Sequence, residues 1–139
     1  MGEHHTTIEI KTKGENDIIN ITDKIQQCIK KSNLNNGICC VFVPGSTGTI
    51  TTVEYEPGLK KDIPIALEKI APANQYYAHH ETWHDDNGRS HVKASLMGPS
   101  ITVPFQNKKI IHGTWQQIVF MELDTRSRNR SIIVQLVGE

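Results

Sequence analysis

Apolar and polar residues alternate over residues 6–11 around Ile8 and Ile10, the period-two pattern of a half-buried strand. Gly14, Asn16 and Asp17 break the pattern as turn-formers do. Thr22 is the expected N-cap of a helix in which Ile25, Cys28 and Ile29 share one stripe while Lys24, Lys30 and Lys31 lie off it. Asn35-Asn36-Gly37 ends that helix. The continuous apolar run over residues 38–43 predicts a central strand buried on both faces. Pro44-Gly45-Ser46-Thr47-Gly48 closes it, and the Thr-rich residues 49–54 read as another strand. From Pro57 onward Leu59, Ile63, Leu67 and Ile70 recur at helical spacing, with Pro64 inside, which predicts a kink or two short helices.

Residues 71–90 lose all periodicity, and a structureless stretch of that length inside a compact domain is characteristically functional or disordered; its aromatics and histidines argue for ordered. Beyond it the chain reads mostly as strands. Residues 101–105 form one, and residues 115–123 and 131–137 form two more, joined by a polar, Arg-rich connection that predicts an antiparallel hairpin. The element order predicts one α+β domain over residues 1–139, a mainly antiparallel sheet system carrying two or three helices.

Composition narrows the function classes. The chain has 139 residues, 37% of them hydrophobic, enough to bury a core, and its 15 basic residues balance 15 acidic ones. That balance argues against a nucleic-acid partner, which calls for a basic excess. No apolar run approaches the roughly 20 residues needed to span a bilayer, and the polar start does not resemble a signal peptide, so no membrane partner is expected. Gly2 and Thr6 match a loose myristoylation pattern too common to carry weight. Cys28, Cys39 and Cys40 are odd in number and lack C-x-x-C spacing; they read as small buried hydrophobes and point to the cytoplasm.

The densest chemistry lies between His79 and His91, where His79, His80, His84 and His91 interleave with Glu81, Asp85 and Asp86. Imidazole and carboxylate together suit a divalent metal or acid–base work near neutral pH. Residues 80–84 spell H-E-x-x-H, but a metalloprotease needs that motif on a helix, and Asp85-Asp86-Asn87-Gly88 would end a helix at once. Solvated loop histidines remain the plain alternative. Gly45-Ser46-Thr47-Gly48 follows a buried strand and offers backbone amides to an anion, without the Lys of a Walker loop. Ser95, Lys93 and His91 add hydroxyl, ammonium and imidazole. Trp115 reads first as core, and Arg126, Arg128 and Arg130 as solvated surface.

The run SHVKASLMGPSITVP at residues 90–104, the run GTWQQIVFMELD at residues 113–124 and the closing SIIVQLVGE together resemble the YjbQ-like family, named for secondary thiamine-phosphate synthase activity. VPGSTGTITTVEYEPGLKKDI resembles the corresponding segment of one branch, so the similarity covers nearly the whole chain. The resemblance implies a β-sandwich-like sheet system assembled as a homotrimer. It implies a pocket lined by His79 or His80, His91, Lys93, Ser95 and the turn Gly113-Thr114-Trp115-Gln116, with Glu54 and Asp62 at the family's acidic positions. Many members carry His-Thr-Ser where this chain has Gly45-Ser46-Thr47.

The activity so implied joins a pyrimidine pyrophosphate to a thiazole phosphate and expels pyrophosphate. On that reading His79, His91, Lys93, Ser95 and Glu54 are the catalytic set, and Ser46, Thr47, Thr114, Trp115 and Gln116 bind a small phosphorylated molecule. His80 and Asp62 would hold a divalent ion, magnesium or zinc. A metal- or phosphate-binding protein without turnover is the alternative, because a pocket of His, Lys and Ser serves both.

Overall fold

A computed structural model describes residues 1–139, and it is an α+β fold of two antiparallel sheets and four helices. The strands are β1 (Gly2–Lys11), β2 (Ile18–Asn20), β3 (Gly37–Phe42), β4 (Gly48–Val53), β5 (Ser100–Gln106), β6 (Lys109–Ile110), β7 (Gln117–Glu122) and β8 (Asn129–Gly138). The helices are α1 (Thr22–Lys31), α2 (Pro57–Ile70), α3 (His79–Trp83) and α4 (Gly88–Met97). One sheet runs β1-β8-β3-β5-β6 and the other β2-β7-β4.

Which strand is buried twice follows from what lies beyond each sheet. Alternate residues of the five-stranded sheet, among them Ile8, Cys39, Val41, Phe105, Ile132 and Val134, meet Ile118 and Phe120 of β7 and Ile25 and Ile29 of α1 in the larger core. The opposite face of β7, Val119 and Met121, meets Leu67 of α2 and Ala94 of α4 in a smaller one. Hence β7 is the strand covered on both sides. The run expected to be so, residues 38–43, buries Cys39 and Val41 while Ile38 and Phe42 remain exposed.

Several local expectations change with it. Residues 115–123 and 131–137 do not form a hairpin: β7 pairs with β2 and β4, whereas β8 pairs with β1 and β3. Thr22 is the first helical residue rather than the cap; its hydroxyl donates to Asn20 Oδ1 at 2.7 Å. Pro64 sits inside one continuous helix. That helix starts on Pro57, where a missing N–H costs nothing, and the Glu56 carboxylate caps it by accepting from Gly58 N and Leu59 N. The aperiodic segment is not structureless, since it carries α3 and the start of α4. No helix is long and apolar enough to cross a membrane. The three cysteines are free, and burial pushes the Cys39 thiol up to about 12.

Candidate functional site

Where β3 ends, α4 begins and the β7–β8 connection passes, the chain forms an open polar cavity of about 330 Å³. Its lining includes Gly45, Ser46 and Thr47, then Arg128 and Arg130, then His79, Trp83 and Asp85, and finally Asn87 and His91.

The floor is a buried charge network. Glu122 and Asp124 are 0% and 1% exposed, which demands partners for both carboxylates. Glu122 accepts from Arg130 Nε at 3.0 Å and from Arg130 Nη2, from Thr12 Oγ1 at 2.8 Å and from Asp124 N at 3.2 Å. Asp124 accepts from Arg128 Nε and Nη2, Thr47 Oγ1, Asn87 Nδ2 and Thr125 N. Burial alone would push the Asp124 carboxyl up, but Thr125 N–H, Arg128 and Asn87 together hold it at about 2. One side chain thereby ties three walls: the Thr47 loop, the entry to α4 and the β7–β8 connection.

Both arginines spend the Nε/Nη2 edge on these carboxylates, which turns the remaining nitrogen, Nη1, elsewhere. In Arg130 it points at the Gly45 loop; a Cβ on Gly45 would stand 3.1 Å from it. Gly45 has a φ of +114°, so both the turn and the clearance call for glycine. Ser46 is exposed beside it, whereas the Thr47 hydroxyl is spent between Asp124 and Arg130 Nη2.

The opposite wall carries the imidazoles. His79 and His91 stack with ring centroids 4.3 Å apart, and His79 Nδ1 faces Asp85 Oδ1 at 3.5 Å, longer than a well-formed hydrogen bond. Burial, then the neighbouring His79, holds His91 below the ordinary imidazole value of 6.5, against the smaller pull of Asp85 and Asp124. His91 is therefore neutral at pH 7 and able to accept a proton. Asn87 Oδ1 and His79 Nδ1 are buried without a hydrogen-bond partner.

The expected site residues divide. His79, His91, Ser46 and Thr47 line the cavity. Lys93 does not: it is 1% exposed on the inner face of α4, its Nζ 3.7 Å from Glu68 and 4.0 Å from Glu15. Ser95 donates to His91 O within α4. Glu54, Asp62 and His80 are exposed, and so are Thr114, Trp115 and Gln116, whose loop is closed by Gly113 N donating to Gln116 Oε1. The rings of His80 and His84 meet edge to face at 5.4 Å, but α3 is five residues long and His84 already has a left-handed φ of 57°. No group of three or more His, Cys, Asp or Glu side chains gathers where a metal could sit, so this chain's donors do not fit a resident divalent ion.

Arg128 and Arg130, expected as solvated surface, and Asp124 and Asn87, to which the sequence pattern gives no role, are thus part of the site. A signal was present: Glu122 and Asp124 sit in and beside an apolar strand, where a carboxylate needs a cation, and the arginines follow within eight residues.

The family model UPF0047 protein YjbQ-like matches residues 6–139. The chain belongs to this family. A UPF0047 protein of Archaeoglobus fulgidus is 36% identical over 92% of this chain and 97% of its own length. One of Methanothermobacter thermautotrophicus is 38% identical over 95% and 90%. Among solved structures, a YbjQ-like protein of unknown function from Sulfolobus solfataricus superposes with a TM-score of 0.88 at 31% identity, covering 99% of this chain and all of that one. A YjbQ/UPF0047 protein of Clostridium acetobutylicum gives 0.81 at 34% identity, covering 94% and 99%. These relatives are named by the family designation alone, with no activity attached, and the Sulfolobus protein is described as of unknown function. The family resemblance thus holds, whereas the thiamine-phosphate synthase activity expected from it is withdrawn.

Proposed function

We propose that the cavity binds a small phosphorylated molecule through Arg128, Arg130 and Ser46. The observation that carries this reading is the pair of arginines whose Nε/Nη2 edges are fixed on buried carboxylates, so that Nη1 of each is left for a ligand. A guanidinium held in this way has already lost its rotamer freedom and presents N–H donors in the planar array that matches phosphate oxygens. Gly45 supports the same reading, since its bare backbone lets an oxygen approach Arg130.

Thermal unfolding in rising inorganic phosphate tests it. Binding to the folded state raises Tm with ligand concentration. Sulfate, of similar shape and charge, should act likewise, and chloride at matched ionic strength should not. Arg128→Gln should abolish most of the shift; because it also leaves the buried Asp124 carboxylate short of a partner, the shift is read against the variant's own Tm in chloride. An unchanged Tm in phosphate, or an equal rise for Arg128→Gln, would refute the reading.

A second reading builds on this one and rests on His91. A neutral imidazole stacked on a carboxylate-facing His79 can take a proton from a bound molecule, which makes acid–base conversion of the phosphorylated ligand the chemistry to assay.

A further inference from the structure

We infer that the occupant of this cavity is a phosphate ester of a polyhydric alcohol, one of whose hydroxyls donates to Asn87 Oδ1 while the phosphate lies against Arg128 and Arg130. The inference rests on the phosphate reading above and names the rest of the ligand.

Its starting point is an acceptor left over. Asn87 stands at the start of α4, is 6% exposed and lines the cavity. Its backbone carbonyl accepts from Ser90 N, but its side chain caps nothing. That side-chain amide is divided between two tasks. Nδ2 donates to Asp124 Oδ1 at 3.3 Å, and because an ionised carboxylate only accepts, the contact fixes which end of the amide is nitrogen. Oδ1, on the other edge, is buried and receives no hydrogen bond. A buried acceptor without a donor is costly, and an occupant bringing an O–H or N–H into the cavity relieves that cost. His79 Nδ1, in the same lining, is likewise buried without a partner. A hydroxyl both donates and accepts, so it suits either atom.

Asp124 brings the two recognition elements together. Its Oδ1 holds Asn87 and its Oδ2 holds Arg128, so a free acceptor and a free guanidinium N–H stand over one carboxylate. A ligand that meets both pairs anionic oxygens with a neighbouring donor, as a phosphorylated alcohol with further hydroxyls does. An ammonium would donate equally well but would set a third cation beside two arginines; a hydroxyl donates without charge. The lining is polar apart from Trp83, which an alkyl chain would leave unpaired and a hydroxylated chain would not. A volume of about 330 Å³ lies at the low end for small-molecule sites and suits one compact ester.

Isothermal titration of the full chain with glycerol phosphate, propyl phosphate and inorganic phosphate tests this. At about pH 8 both esters are dianions, so neither phosphate group has a proton to donate to Asn87. Glycerol phosphate should bind about tenfold more tightly than propyl phosphate, the order expected from one satisfied buried acceptor. Asn87→Ala should reduce that preference to about twofold, because the acceptor is gone while Arg128, Thr47 Oγ1 and Thr125 N still hold Asp124. Equal binding of the two esters to the wild type needs no variant to interpret and overturns the polyol inference. A preference that survives Asn87→Ala does the same, and either result leaves the phosphate reading standing. Failure of all three compounds to bind overturns both.

Discussion

Asp124→Asn isolates the charge that ties the cavity walls together. The Asp124 carboxyl is held at about 2 against 3.8 for an unperturbed side chain, a gap worth roughly 2 kcal/mol at about 1.4 kcal/mol per unit. The folded state holds this proton less readily than the unfolded chain. Its stabilisation is thus complete above about pH 5, declines as pH falls through 3.8 and then 2, and is gone by about pH 1. Asparagine preserves size and one carbonyl acceptor but never carries the charge. Arg128, whose side chain is 35% exposed, can turn to water in the variant, so no orphaned cation adds the larger cost of a broken buried pair. Urea unfolding of both proteins, followed by circular dichroism from neutral pH to about pH 2.5, should show wild type about 2 kcal/mol more stable at pH 7. That difference should shrink steadily below about pH 5, while the other carboxylates cancel between the two proteins. A difference that is constant with pH, or absent at pH 7, would refute the assignment of this charge to the floor of the cavity.

Three further outcomes are expected. In an NMR titration His91 should show a midpoint below 6.5; Asp85→Asn should lower it further by removing a favourable charge, and a fall in midpoint on His79→Gln would contradict the stacking argument, since removing the His79 charge should raise it. Gly37→Ala should destabilise by about 3 kcal/mol in urea, because its Cβ would lie 2.1 Å from the Val137 carbonyl oxygen, a backbone atom unable to yield without parting β3 from β8. We propose that the chain forms the homotrimer its family resemblance implies, covering apolar side chains such as Ile65, Ile70 and Leu96, which stand 57%, 59% and 64% exposed on α2 and α4. A monomer in sedimentation equilibrium at micromolar concentration would rule that out.

What the sequence made legible follows from how far apart the interacting residues lie. The stripe Ile25, Cys28 and Ile29 and the alternation around Ile8 and Ile10 are local patterns, and α1 and β1 stand where they pointed. Two-faced burial is not local. Residues 38–43 contain no charge yet lie half-exposed, because nothing in this chain covers the outer side of β3. Residues 117–122 contain Glu122 yet are the more deeply buried strand, because α2 and α4 close the far side. Helix α4 has no local signal for a related reason. Its inner face is Gly88, Ser90, Lys93 and Ala94, which no apolar periodicity marks. Lys93 is buried there because Glu68 and Glu15 come from elsewhere in the chain. The arginines follow the same rule: an Arg on a polar connection reads as solvated until Glu122 and Asp124 are seen beneath it. Sequence thus located the histidines His79 and His91, whose chemistry is written in their residue type. It does not locate the cavity-lining arginines, whose orientation comes from carboxylates at the end of a strand that is itself buried by two distant helices.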